Sequence, residues 1–290
     1  MAKEKVPVNN PLDLKGMLKA GEYARVYIFF GEETFLLNHY TAQLKKQLVD
    51  ELTESFNYHK LTQENFDIRG FADSVESLPM MAEHTFLWVD DIDIFKLPED
   101  EREKMAQILA DIPAYCSVLF TYETAPWNPD GRYKKLYQAV MENGYIVEFA
   151  KQSVSDLTAW ITRHFAANGK TIAPNLCQYL IEISGGTMTA LAGEIKKVCA
   201  YSGADTIVKS DIDAVVEPVL DVLVYEITKS LSNGNYAGAL SQLQLVLKRQ
   251  EKSVSILGVI GNHFRQLSAA RIVLDSGENY GALGHKLLHL

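Results

Sequence analysis

The sequence predicts an α/β domain followed by two helical domains. Short apolar strand patterns alternate with helical patterns up to about residue 150, the strand patterns then fade, and long helical patterns follow Pro218. Alternating strands and helices are typical of a largely parallel sheet. We therefore expect an α/β domain over residues 1–150, a small helical domain over 151–218 and an all-helical domain over 219–290.

The predicted strands are short and mostly apolar. A continuous apolar run such as residues 86–89 suits a sheet that is covered on both faces. The apolar runs predict strands over residues 26–30, 56–61, 85–89, 117–121 and 145–148. Helical spacing between them predicts helices over residues 35–53, 71–77, 99–111 and 133–143.

The turn after the first predicted strand lacks the chemistry of a phosphate-binding loop. Gly31 is followed by Glu32 and Glu33, whereas a P-loop ends in Gly-Lys and then Ser or Thr. Carboxylates suit the positive end of a helix dipole, but they would repel a triphosphate placed there. The chain is built like a nucleotide-binding protein, and yet we expect it to bind no nucleotide cofactor.

The second half of the chain carries helix boundaries. Ser153 is a predicted N-cap, and Gly169 and Gly185 are predicted C-terminal stops. Long helical patterns follow over residues 222–232, 236–250 and 253–276, with apolar faces that need a partner. The pattern at residues 285–290 stops without a cap, so we expect the chain to end inside a larger bundle.

The charge is concentrated in the first domain. The formal net charge is −9, and residues 1–150 hold 15 basic and 25 acidic side chains. This balance argues against an autonomous nucleic-acid binder and favours an N-terminal domain that docks proteins.

Cysteine usage and hydropathy indicate an intracellular protein. Cys116, Cys177 and Cys199 are odd in number and widely spaced, so we expect three buried thiols rather than disulfides or a zinc site. The apolar runs are too short for a membrane helix, and the N-terminus lacks a signal core. We therefore expect a cytoplasmic location and no membrane contact.

Four segments together resemble one protein family, and they follow the order and the spacing that this family shows. The chain resembles the delta subunit of the bacterial DNA polymerase III clamp loader, a degenerate branch of the AAA+ superfamily. The segments are YIFFGEETFLL at residues 27–37, SLPMMAEHTFLWVD at 77–90, GRYKKLY at 131–137 and SGGTMTALAGEIKK at 184–197.

The resemblance implies an AAA+-like sheet domain, a helical lid domain and a helical collar domain. It implies a subunit that binds no ATP and binds and helps open the sliding clamp, the beta subunit, for loading onto primed DNA. Its partners would be the clamp-loader ATPase subunits and a delta-prime-like subunit, with DNA contacted only within the assembly. The family is catalogued as part of a DNA-directed DNA polymerase holoenzyme. Its chains usually continue further, so we expect an incomplete collar.

The resemblance assigns clamp binding to Leu78, Pro79, Met80 and Met81. Pro79 discourages helix through Leu78, so the following side chains project from a corner, and flexible thioethers adapt to a protein groove. The alternative is that Met80 and Met81 fill the α/β core.

Two further groups of residues have weaker functional interpretations. A basic patch of Lys248, Arg249 and Lys252 would face DNA in an assembly, although charges on an amphipathic helix usually face solvent. His285 and His289 have the spacing of a shared metal site, but no third ligand lies near them in sequence. We therefore expect no metal site there.

Residues at predicted strand ends keep an alternative function open. Asp90, Asp91 and Asp93 stand where an ATPase holds magnesium, but the Gly31 turn supplies no lysine or hydroxyl. We interpret these acids as a solvated strand end or as a relic of such a site. Trp127 is either an exposed recognition residue or packs its own loop.

Two function classes compete with the clamp-loader interpretation. The main alternative is a nucleotide-dependent enzyme, an ATPase or kinase, with an atypical phosphate site. A chromosome-binding regulator conflicts with the acidic first domain. The clamp-loader interpretation implies a protein-interaction subunit with no catalysis of its own.

Overall fold

The computed structural model describes residues 8–248 and 253–275. The chain divides into two compact units, one up to Gln152 and the other from Ser153 onward. The finer division into three domains stays a prediction.

The N-terminal unit contains a five-stranded parallel sheet. Its order is β2-β3-β4-β1-β5, with β1 (Val26–Phe30), β2 (Tyr58–Leu61), β3 (Thr85–Asp90), β4 (Cys116–Tyr122) and β5 (Gly144–Glu148). Val26 pairs with Val118 on one side and Gly144 on the other. The predicted α/β class is confirmed, and β1 has the predicted bounds.

In the described part of this unit, from residue 8 onward, six helices cover both faces of the sheet. They are α1 (Pro11–Ala20), α2 (Thr34–Leu48), α3 (Glu54–Asn57), α4 (Ile68–Glu76), α5 (Glu99–Ala110) and α6 (Lys134–Asn143). Successive strand residues point to opposite faces. Ile28 accordingly joins a core with α4, α5 and α6, and Phe29 joins a second core with α1 and α2.

Two short helices were not predicted. α1 begins at the N-cap Asn10, whose side chain accepts a hydrogen bond from the Leu12 N–H, and it ends at Gly21 in the left-handed conformation. α3 occupies the first residues of the strand predicted over 56–61. The Tyr58 N–H donates to the Glu54 carbonyl, so the chain becomes extended only at Tyr58. The helix predicted over 35–53 ends early, at Leu48.

The second unit is helical in its described part. Its helices are α7 (Val154–Ala167), α8 (Pro174–Ser184), α9 (Met188–Tyr201), α10 (Lys209–Val215), α11 (Leu220–Ser232), α12 (Tyr236–Lys248) and α13 (Ser253–Asp275). Ser153 caps α7 by accepting a hydrogen bond from the Asp156 N–H, as predicted. Gly185 ends α8 with φ of 79°, which confirms that stop.

Among the described residues, α11, α12 and α13 share a small core and expose much apolar surface. Buried side chains from each helix meet there, namely Ile227, Ala239, Val246 and Ile256. Outside this core, large apolar side chains stay exposed: Leu240, Leu247, Val254, Leu257, Phe264 and Leu267. The predicted apolar faces are therefore only partly covered within the described residues.

The cysteine prediction needs one correction. Cys116 and Cys177 are buried, whereas Cys199 is half-buried because α9 is a surface helix at that position. Burial raises the pKa of the Cys116 thiol to about 11. Among the described helices, none combines the length and the apolar character needed to cross a bilayer.

Candidate functional site

The loop between α4 and β3 contains the residues assigned to clamp binding. The chain leaves α4 at Ser77, which is extended, and Pro79 restricts Leu78 to non-helical backbone. The loop therefore turns away from the helix at the point that the sequence predicted.

Apolar side chains of this loop are strongly exposed. The exposed fractions are 74% for Leu78, 51% for Met80 and 92% for Met81. The alternative that Met80 and Met81 fill the α/β core is therefore wrong. Clustered exposed apolar side chains are typical of interaction sites.

The fully buried side chain of Asn57 holds the centre of the loop. Its Nδ2 donates to the Met80 carbonyl at 2.9 Å, and its Oδ1 accepts from the Met80 N–H at 2.8 Å. Asn57 is the last residue of α3. Sequence reasoning missed this residue because its partner lies 23 positions away and no local pattern marks the pair.

A turn residue and an α3 residue that precede Asn57 add to the exposed apolar surface of this unit. Leu52 is 90% exposed and Phe56 is 54% exposed. Leu52 lies within the helix predicted over 35–53 and Phe56 within the strand predicted over 56–61, and neither residue was predicted to have a functional role. The hydrogen bonds of Asn57 connect α3 to the loop.

Two further contacts hold the ends of the loop. The Tyr115 hydroxyl donates to the Glu76 carbonyl at 3.0 Å, at the end of α4. The rings of His84 and Tyr23 meet edge to face, with centroids 5.5 Å apart. Between these contacts, Met81 adopts a left-handed φ of 55°, which is unfavourable for a residue with a Cβ.

The turn at Gly31 packs against the protein's own backbone. Gly31 has φ of 130°, and the Glu33 N–H donates to the Phe149 carbonyl at 2.9 Å. Glu33 is the buried N-cap residue of α2. Burial raises the pKa of its carboxyl group, and the Phe35 N–H and the charge of Lys151 oppose that rise.

Asp90 is tied into the sheet at the end of β3. It accepts a hydrogen bond from the Thr121 hydroxyl at 2.9 Å and forms a salt bridge with Lys60 at 2.8 Å. Thr121 in turn accepts from the Trp88 indole N–H at 2.8 Å. This carboxylate joins β2, β3 and β4 rather than extending freely into solvent.

Asp91 holds the loop that follows β4. Its carboxylate accepts from the backbone N–H groups of Glu123, Thr124 and Ala125 at 3.1, 3.0 and 2.8 Å, and from the Thr124 hydroxyl. Burial raises the pKa of Asp91, but these hydrogen bonds outweigh it and lower the pKa below its usual value. Asp91 was predicted to lie at a solvated strand end, but its carboxylate instead anchors the loop at residues 123–125.

Asp93 and Trp127 also have internal partners. Asp93 accepts from the Phe95 N–H at 3.1 Å and pairs with Lys96 at 3.0 Å. The half-buried Trp127 packs its ring against Tyr122, with centroids 4.9 Å apart, and also contacts Phe30 and Phe95. Packing within its own domain is thus the correct alternative for Trp127.

The remaining predicted residues lie mostly outside the described ranges. Lys248 is exposed at the end of α12. Arg249, Lys252, His285 and His289 are not among the described residues. Within residues 8–248 and 253–275, no group of three or more His, Cys, Asp or Glu side chains is placed to hold a metal ion.

The chain is similar in sequence to the delta subunit of DNA polymerase III. The model of the family described as DNA polymerase III, delta subunit, matches residues 27–144. DNA polymerase III subunit delta of Bacillus subtilis (strain 168) is 23% identical over 270 residues, which span 91% of this chain and 78% of that protein.

A solved structure of a clamp-loader protein is similar at the level of the fold. The Bacillus subtilis DNA clamp loader delta protein aligns with 96% of this chain and 83% of its own length, with a TM-score of 0.64 and 22% identity. The Thermotoga maritima RuvB Holliday junction branch migration motor covers 80% of this chain at a TM-score of 0.43 and 18% identity, which is too distant to support an argument.

Proposed function

We propose that this chain is a clamp-loader subunit of the delta type that binds the sliding clamp through Leu78, Pro79, Met80 and Met81. The match of residues 27–144 to the DNA polymerase III delta-subunit family and the similarity to the Bacillus subtilis delta subunit support this proposal. In this proposal the loop inserts apolar side chains into the clamp and helps to open it for loading onto primed DNA. The observation that carries the proposal is the exposure of Leu78, Met80 and Met81 on a loop anchored by Asn57.

The energetics of the loop favour a protein partner. Fully burying one Leu or Met side chain stabilises a complex by about 1.5–3 kcal/mol. Three such side chains on one loop supply the centre of an interface, where a few residues carry most of the binding energy. The acidic balance of residues 1–150 suits a protein partner better than a phosphate backbone.

The internal contacts at the other end of the sheet support a subunit that binds no ATP. The Gly31 turn packs on the Phe149 backbone, and the buried side chain of Glu33 lies at the N-cap position of α2. Asp91 uses its oxygens to hold residues 123–125. In the proposed assembly, the energy for loading comes from nucleotide bound by neighbouring ATPase subunits.

The exposed apolar surface of α12 and α13 supports assembly through the second unit. We assign this surface to contacts with the ATPase subunits and a delta-prime-like subunit. A DNA-facing role for Lys248, Arg249 and Lys252 belongs to the same proposed assembly, as does a cytoplasmic location. Of these three residues, the exposure of Lys248 is the described feature that supports it.

The deciding experiment measures binding to the sliding clamp of the same organism by titration calorimetry. A Met80→Ala/Met81→Ala variant should lose most of the affinity, because truncation of interface hot spots typically costs about 2 kcal/mol or more each. Leu12→Ala is the matched control, since Leu12 is 70% exposed on α1, which packs at the β5 edge of the sheet. It should bind like the parent.

Two outcomes would contradict the proposal. If the folded parent chain does not bind the clamp, the proposal of clamp binding is wrong. If the double variant binds as tightly as the parent, the proposed role of the loop is wrong. Circular dichroism confirms that both proteins are folded.

A further inference from the structure

Both hydrogen bonds described for the side-chain amide of Asn57 join it to the backbone of one residue of the α4–β3 loop. The donor bond to the Met80 carbonyl and the acceptor bond from the Met80 N–H are 2.9 and 2.8 Å long. A side chain that makes both bonds to one residue fixes the position and the direction of the peptide groups on either side. Because Asn57 is fully buried, water cannot easily replace these bonds.

The backbone next to this contact is in an unfavourable conformation. Met81 has φ of 55°, where a Cβ meets the following carbonyl oxygen. Non-glycine residues keep such a conformation where the surrounding structure enforces it, and such sites cluster at ligand-binding positions. The two hydrogen bonds from Asn57 to Met80, the preceding residue, can hold Met81 in this conformation.

In this loop the side chains are exposed, whereas the backbone is held by hydrogen bonds from the protein interior. The side chains of Met80 and Met81 extend into solvent, at 51% and 92% exposure, while the Met80 backbone is fixed from inside. A loop that is ordered before binding avoids the entropy cost of ordering in the complex.

We infer that Asn57 is a positioning residue that keeps the Leu78–Met81 loop in its clamp-binding conformation before the clamp arrives. The inference rests on the proposed function. Without Asn57 only a fraction of molecules would present Met80 and Met81 correctly, and apparent affinity falls in proportion to that fraction.

The test measures clamp-binding kinetics of the full chain and its Asn57→Ala variant. We expect Asn57→Ala to bind about tenfold more weakly, mainly through slower productive association, if the competent fraction falls to roughly one tenth. Leu18→Ala is the control for general destabilisation, because Leu18 is buried on α1 in the core on the other face of the sheet from α4. It should retain the parent affinity under conditions where it is folded.

A double-mutant cycle separates positioning from a direct contact. If Asn57 acts through Met80 and Met81, adding Asn57→Ala to the Met80→Ala/Met81→Ala variant should cause no further loss. An equal further loss in that background would overturn the inference, and so would unchanged binding by Asn57→Ala alone.

Hydrogen exchange gives a measurement that needs no variant. The Met80 amide of the free parent chain should exchange slowly, since it donates to a buried acceptor. Exchange at the rate of an open loop would overturn the inference even if Asn57→Ala fails to fold. A different result would contradict the proposed role of the loop. In that case the Met80→Ala/Met81→Ala variant itself would bind the clamp like the parent.

Discussion

The backbone of Gly31 lies directly against the backbone of Phe149. A Cβ atom on residue 31 would lie 2.3 Å from the Phe149 carbonyl oxygen and 2.8 Å from its nitrogen. The turn that follows β1 is therefore closed against residue 149 and leaves no room for a side chain at residue 31.

Gly31→Ala should destabilise the protein by about 3 kcal/mol, since it adds a backbone clash to an unfavourable positive φ. Urea denaturation measures the free energy of unfolding. Gly16→Ala is the control, because Gly16 is inside α1 with open space around its Cβ position. That variant should gain about 0.5–1 kcal/mol, and a Gly31→Ala variant as stable as the parent would contradict the packing described.

The hydrogen bonds of Asp91 predict a pH-dependent contribution to stability. Its folded pKa lies below the usual carboxyl value of 3.8, so its stabilisation is complete above that value and is lost as pH falls through the folded pKa. Asp91→Asn tolerates the left-handed φ of 59° but removes the charge. It should lower the free energy of unfolding at pH 7 by about 1–2 kcal/mol.

Urea denaturation of the parent and Asp91→Asn at several pH values checks this prediction. The difference between the two proteins should stay constant from pH 7 down to about pH 5 and shrink below the usual carboxyl pKa. A difference of the same size at pH 7 and at pH 2.5 would mean that the Asp91 charge does not stabilise the loop.

The sequence predicted the elements whose signals are local. β1 and its glycine turn are marked by an unbroken apolar run and one permissive residue, and Leu78–Met81 by a proline that ends helical backbone. The local signals predict where the chain leaves helical backbone, whereas the exposure of Met80 and Met81 was expected from the family resemblance and not from residue type.

Contacts between distant residues were not predictable in this way. Asn57 is 23 residues from Met80, and Asp91 is 33 residues from Thr124, so neither partner is visible in a local pattern. α1 was missed because it is only ten residues long and contains Gly16, which weakens a helical pattern. Tertiary packing of Leu14 and Leu18 decides its conformation.

The nucleotide-enzyme alternative predicts ligand stabilisation, and we expect none. A site that ATP-magnesium fills at one hundred times its dissociation constant stabilises a fold by about 2.7 kcal/mol. The Glu33 carboxylate at the start of α2 and the engaged Asp91 oxygens oppose such a site. Thermal unfolding with increasing ATP-magnesium should therefore leave the melting temperature unchanged, with magnesium alone as the control. A rise that grows with ATP concentration would support the enzyme.

The exposed apolar surface of α13 predicts a separation between assembly and clamp binding. Leu257 is 68% exposed, so Leu257→Asp should change the free energy of unfolding by no more than about 0.5 kcal/mol. In the proposed assembly it would bury an unpaired charge, which should weaken binding to the other loader subunits at least tenfold, or about 1.4 kcal/mol. Clamp affinity should stay at the parent value, because Leu257 and the Leu78–Met81 loop belong to different units.

Size-exclusion chromatography of the mixed loader subunits measures the effect of Leu257→Asp on assembly, and calorimetry with the clamp measures its effect on clamp affinity. Normal assembly by a folded Leu257→Asp chain would place the subunit contacts elsewhere.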